Sequence, residues 1–153
     1  INTTVIGDYA NPTVRLPGSG GACEIAIHSQ RLLIMMRIGA KNFVEKCDYV
    51  TSPGHRMYSR HPSKNMNGTR KDFRHPGSGP ATVITDLGVC HFVDGEMILT
   101  EIYPGVTREQ VKAACGWDLK MAESLKVTDP PDEKSLKLLR EKLDPQKHFL
   151  GGT

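Results

Sequence analysis

Two stretches of the chain hold residue types that could act on an anion. The first is Gly18-Ser19-Gly20-Gly21-Ala22, which ends an extended segment and precedes Cys23-Glu24-Ile25-Ala26-Ile27, a run of helix-compatible composition. Glycines let backbone N–H groups approach an oxyanion closely, and a helix start favours negative charge in front of it. A strand-to-helix turn without any ligand would use the same glycines, and the spacing matches neither the dinucleotide fingerprint nor the Walker loop. Glu24 could act as a general base, but a first-turn acid complementing the helix dipole is the simpler reading. His28, one turn later, reads as a helix-surface residue or one satisfied locally. No Ser-His-Asp or Cys-His arrangement can be assigned from spacing, because such partners meet only in space.

The second stretch is basic. Between His55 and His75 stand Arg56, Arg60, Lys64, Arg70, Lys71 and Arg74 against a single acid, Asp72. This segment carries a net +5 while the whole chain carries +3, so the rest of the chain is slightly acidic. A nucleic-acid footprint would spread along a face and interleave stacking aromatics, whereas here only Tyr58 and Phe73 are available, so no nucleic-acid partner is expected. The segment reads either as a solvated insertion over residues 55–80 or as a cradle for phosphates. Gly77-Ser78-Gly79-Pro80, which closes it, reads as a loop hinge. Cys23, Cys47, Cys90 and Cys115 form no C-x-x-C pair, which points to free thiols in a reducing compartment. No histidine pair complements them, so no metal site is expected.

The elements that must position these residues can be sketched from composition. The 153 residues, 38% of them hydrophobic, suffice for one domain, and no apolar run reaches the ~20 residues of a membrane span. Ile1-Asn2-Thr3-Thr4 shows neither an initiator Met nor the order of a signal peptide, so a cytoplasmic chain without membrane partners is expected. Thr3 to Ile6 and Thr13 to Leu16 read as short strands. Arg31 to Ile38 is a nearly continuous apolar run suited to a strand buried on both faces of a parallel sheet. A further strand is expected at Cys47 to Thr51. Ala81 to Ile84, Gly88 to Val93 and Glu96 to Leu99 form a meander, with Asp94-Gly95 as its hairpin turn. Thr107 and Gln110 start a helix as a capping box, and Gly116 would end it in the left-handed conformation. Asp118 to Ala122 reads as a short strand, and Asp132 caps a last helix with Leu136, Leu139 and Leu143 on one face. The fold class expected is α/β, with an open, mostly parallel sheet, flanking helices and an antiparallel meander toward the C-terminal half.

Three ordered blocks then carry a resemblance. Ile1 to Tyr9 with Pro12 and Gly18-Ser19-Gly20-Gly21-Ala22, Cys47-Asp48-Tyr49-Val50-Thr51-Ser52-Pro53-Gly54, and Val83 to Val89 with Tyr103-Pro104-Gly105-Val106-Thr107 and Gly116, resemble the β-type subunit of class I CoA-transferases. The resemblance covers nearly the whole chain except the basic loop. It implies a CoA-transferase/NagB-like fold, an α-type partner subunit, coenzyme A as substrate rather than resident cofactor, and a ping-pong reaction through a glutamyl-CoA thioester. The nucleophilic glutamate of the family lies in an S-E-N-G-like segment N-terminal to the glycine loop, and no such segment is present here. The chain is therefore expected to be the C-terminal part of a subunit, inactive alone and partnered by the N-terminal part. Its own contribution would be an oxyanion hole at Gly20 and Gly21, with Gly18, Ser19 and Ala22 lining the substrate. Arg56, Arg60 and Arg74 would hold the phosphates of acyl-CoA. The same scaffold also serves CoA-ester decarboxylases and hydrolases, and a non-catalytic interface subunit is a further alternative.

Overall fold

The computed structural model describes residues 1–58 and 67–149. In chain order the elements are β1 (Val5–Gly7), β2 (Pro12–Arg15), α1 (Ala22–His28), β3 (Leu32–Met35), β4 (Arg56–Tyr58), β5 (Asn67–Thr69), β6 (Pro80–Ile84), β7 (Gly88–Val93), β8 (Glu96–Ile102), α2 (Arg108–Ala114), β9 (Lys120–Val127) and α3 (Glu133–Leu138). The last helix widens into a π-type turn over Leu139–Leu143.

β-branched and aliphatic residues between turn residues build the central sheet, ordered β3-β6-β7-β8-β9. Its two outer contacts, β3 with β6 and β8 with β9, are parallel, while the contacts of β7 on both sides are antiparallel. The fold is thus α/β with a mixed sheet, the meander in its middle and parallel pairing at its edges. Two small antiparallel pairs, β1 with β2 and β4 with β5, stand apart from it.

The turns of the meander follow from local chemistry. Thr85 Oγ1 accepts from the N–H groups of Leu87 and Gly88 at 3.1 and 3.0 Å and donates to the Gly88 carbonyl at 2.8 Å, closing the turn between β6 and β7. At Asp94 and Gly95 φ is 51° and 79°, the two positive values that the hairpin signal demands. α2 begins with the complete capping box: Thr107 Oγ1 accepts from Gln110 N, and Gln110 Oε1 accepts from Thr107 N at 2.8 Å. Val111 of this helix packs with Phe43, Val83, Cys90, Leu99, Cys115 and Leu119 to form the core.

Several expectations change. Cys47 to Thr51 is not a strand. Side chains fasten it to the N-terminal hairpin instead: Asp48 Oδ2 accepts from Gly7 N at 2.8 Å, and Thr51 Oγ1 accepts from Thr3 N at 2.9 Å. The strand expected at Asp118 to Ala122 is β9, which starts later and runs further, to Val127. α2 ends in extended backbone at Cys115 (φ −99°, ψ 138°), so Gly116 is no left-handed cap. Gly116 is required because a Cβ there would lie 2.4 Å from the Phe43 carbonyl oxygen, which its own N–H reaches at 2.7 Å.

β3 is an edge strand, and only one of its faces is covered. Ile34 packs on the core, while Leu33 and Met35 are 48% and 81% exposed. The leucine face of the terminal helix buries no residue, and Leu143 is 66% exposed. The basic segment is no plain loop either, since it contributes β4 and β5.

Candidate functional site

The glycine loop is placed by the N-terminal hairpin. Leu16 N and Gly18 N donate to the carbonyls of Thr4 and Thr3 at 2.9 and 2.8 Å, so the chain enters the loop aligned with β1. Gly18 and Gly20 then take φ values of +90° and +53°, which L side chains adopt only with strain. Gly21 (φ −79°, ψ −2°) is the residue before α1, whose Ile25 N donates to the Gly21 carbonyl at 3.1 Å. Among the described residues neither the Gly20 N–H nor the Gly21 N–H has a hydrogen-bond partner. A Cβ placed at Gly18, Gly20 or Gly21 would meet nothing within 4 Å. Among the described residues two adjacent unpaired donors thus lie in an exposed turn, which is what an oxyanion would need.

The side chains around the loop are mostly turned on the loop itself. Ser19 Oγ donates to the Gly20 carbonyl at 3.1 Å, and Cys23 Sγ lies 3.8 Å from the same oxygen. Ala22 and Glu24 are exposed, and the Glu24 carboxylate stands 3.5 Å from His28 Nδ1 on the helix surface. Glu24 thus behaves as a surface helix residue. The residues singled out from Gly18 to Ala22 form one connected turn.

The basic segment divides in two. Arg56 on β4 and Arg74, which has a positive φ of 55°, are exposed, while Arg60 lies outside the described residues. Among the described residues neither Arg56 nor Arg74 bonds to the glycine loop. Arg70 is different: it is 6% exposed, and no carboxylate among the described residues pairs with it. Burial lowers its pKa from the usual guanidinium value. Composition counts it with the other cations, and nothing in its spacing distinguishes it.

One cleft has no counterpart in the sequence pattern. About 350 Å³ in volume, it lies between the sheet and the 43–56 segment and is lined by Leu32, Ile34, Met36, Phe43, Phe92 and Trp117 among others. His55 lies along it, its ring centroid 4.9 Å from that of Phe92 and its Nε2 2.7 Å from the Pro80 carbonyl oxygen. No group of three or more His, Cys, Asp or Glu among the described residues is arranged to hold a metal. None of their helices is long and apolar enough to cross a membrane.

Residues 1–114 match the family model described as Coenzyme A transferase. The chain belongs to the coenzyme A transferase family. It is 45% identical over 142 residues to the B subunit of the 3-oxoadipate CoA-transferase of Pseudomonas knackmussii, covering 92% of this chain and 52% of that protein. Against the B subunit of the glutaconate CoA-transferase of Acidaminococcus fermentans it is 38% identical over 153 residues, covering 98% of this chain and 54% of the relative. The crystal structure of the Acidaminococcus glutaconate coenzyme A-transferase superposes with a TM-score of 0.81 at 36% identity, over 100% of this chain and 56% of that one. A decarboxylase, AibA/AibB, shares the fold at a TM-score of 0.70 and 21% identity, over 91% of this chain and 49% of that one. The chain thus spans about half the length of the curated relatives it matches.

Proposed function

We propose that this chain is part of the β-type subunit of a heteromeric CoA-transferase and supplies the oxyanion hole of its active site. The observation that carries this reading is the pair of N–H groups at Gly20 and Gly21, unpaired among the described residues and set in an exposed loop, on a chain of this family. In the proposed reaction a glutamate carboxylate, contributed by a segment N-terminal to the loop, attacks the carbonyl of an acyl-CoA. The C–S bond breaks, leaving a mixed anhydride and CoA thiolate. The thiolate then attacks the glutamyl carbonyl, giving a glutamyl-CoA thioester and the free acid. An acceptor carboxylate runs the same two steps in reverse. Each step places negative charge on a carbonyl oxygen, and donors already in place stabilise it without reorganising.

The relatives' names favour short dicarboxylic or 3-oxo acids as acceptors, and their designation as B subunits supports an α-type partner. Gly18, Ser19 and Ala22 would shape the approach to the two donors. Arg56, Arg60 and Arg74 would receive the phosphates of acyl-CoA; Arg56 and Arg74 are exposed, as such contacts require. Coenzyme A enters as substrate, with no resident cofactor.

The deciding experiment incubates the assembled enzyme with acyl-CoA and then adds borohydride or hydroxylamine. A glutamate modified only when acyl-CoA is present is the expected result, and failure to trap any glutamyl thioester would remove the transferase reading. Replacing Arg56, Arg60 and Arg74 by Ala should raise KM for acyl-CoA at low salt. An unchanged KM would free these residues from the phosphate role.

A further inference from the structure

α1 presents a problem of support. It has seven residues, too few to be stable on its own account, and only Ala26 of them is buried, while Ile25 is 57% exposed. Apolar packing therefore does little to set its direction. Its C-terminal end, by contrast, is held by an unusual set of polar contacts. Arg70 Nη2 donates to the carbonyls of Ala26 and Ile27 at 2.8 and 2.6 Å, two of the acceptors that a helix end leaves without partners. The same guanidinium donates through Nε to Gly77 O at 2.8 Å and through Nη1 to Gly54 O at 3.1 Å.

The segment that follows completes the seat. Gly77 N donates to Ile27 O at 2.9 Å, and Ser78 Oγ donates to Gln30 O. Gly77 approaches so closely that a Cβ there would lie 2.5 Å from the carbonyl oxygens of both Ile27 and Ser29. Gly79, with φ +86°, lies beside the His55 ring and the Arg70 side chain, a Cβ there lying 3.0 Å from His55 Nδ1 and 3.2 Å from Arg70 Cδ. The stretch that reads as a hinge is a fitted plug, and one arginine of the basic segment is its centre.

We propose that Arg70 is a positioning residue for the glycine loop, acting through α1. The helix is about 10 Å long at 1.5 Å per residue, with the Arg70 seat at one end and the Gly20 and Gly21 donors at the other. A short rigid rod held at one end transmits a change in that seat to the donors. Oxyanion stabilisation is sensitive to such displacement, since donors must lie about 2.7–3.1 Å from the developing charge. Only the planar five-donor fork of arginine can serve four carbonyls lying around it, and the compact ammonium of lysine cannot.

This inference rests on the glycine loop being the oxyanion hole, and the test separates the two. In the assembled enzyme, R70K should lower kcat tenfold or more per active site titrated by glutamate trapping, while KM for acyl-CoA stays within threefold. Amide exchange over residues 25–29 should quicken, with that of β7 and β8 unchanged. G21P, which deletes one donor directly, serves as the reference. A normal kcat in G21P overturns the oxyanion reading and this inference with it. A large loss in G21P with a normal kcat per titrated site in R70K overturns the positioning role alone, as does a rise in KM without a fall in kcat. Should R70K fail to assemble, S78A changes an exposed contact of the same plug. A two- to fivefold fall in its kcat at constant KM supports the inference, and an unaltered kcat overturns it.

Discussion

The glycine-loop region and the meander with α2 are built on opposite terms. In the meander every turn is closed by its own side chains or by residues suited to its backbone, and Leu99, Cys90 and Val83 are 1%, 0% and 4% exposed. Around the glycine loop two N–H groups lack partners among the described residues, two glycines hold left-handed backbone, and the helix that follows buries one residue. Regions with few buried apolar contacts and unpaired backbone are where local opening is easiest and where ligands are met. The buried core and the unpaired donors are thus placed on separate parts of the chain. Arg70 and its plug let the second region keep a defined geometry without a core of its own.

The contrast can be broken from either side. The largest effect is expected in the meander: Leu99→Ala should cost about 2–5 kcal/mol of stability, read from denaturant unfolding of the assembled enzyme. A loss below about 1 kcal/mol would mean that Leu99 is not central to the core. In the loop the sign of the trade reverses. Gly21→Pro keeps a compatible φ and sacrifices no hydrogen bond among the described residues, so the melting temperature should move by only a few degrees while kcat falls about 10²–10³-fold. Strong destabilisation with normal turnover of the folded fraction would reverse the assignment of the two regions.

Smaller effects sharpen the comparison. Thr107→Ala removes one half of the capping box and should cost about 1 kcal/mol by the same unfolding measurement, with kcat unchanged. The thiols report on both regions at once. Burial, with a lesser contribution from Cys115, pushes the Cys90 thiol up to about 11, so the folded protein favours its neutral form. The stability from that preference is complete below the ordinary thiol value of 9.0 and is lost as pH rises through about 11. The melting temperature should thus fall as pH rises between these values, and Cys90→Ala should flatten the dependence. At neutral pH a thiol reagent should label Cys23 and Cys47, which are partly exposed, well before Cys90 and Cys115. Equal labelling of all four would show that the core opens as readily as the loop.

What could be read from sequence was what acts over a few residues. Asp94-Gly95 declares its turn because positive φ is cheap there, and Thr107 with Gln110 declares its helix because the two side chains reach only the first turn. The order of glycine loop and helix was legible in the same way, as was the family, whose blocks lie in order along the chain. The strand expected at Cys47 to Thr51 failed because the side chains of Asp48 and Thr51 are recruited by backbone partners 41 and 48 positions away. Gly116 read as a helix stop because a glycine after a helix usually is one, whereas here the Phe43 backbone sets the requirement.

Local backbone preference and the ordered pattern of residues made the Asp94-Gly95 turn, the N-caps of α2 and α3, the family and the glycine loop ahead of α1 legible in the sequence. Among the described residues, packing between distant segments sets which donors stay unpaired and buries Arg70. Arg70 is set apart from Arg56 and Arg74 by the carbonyls of Ala26, Ile27, Gly54 and Gly77 that close around it, and two of these lie 43 and 44 residues away. Long-range contact, not residue type, makes one arginine of the basic segment the buried seat of α1.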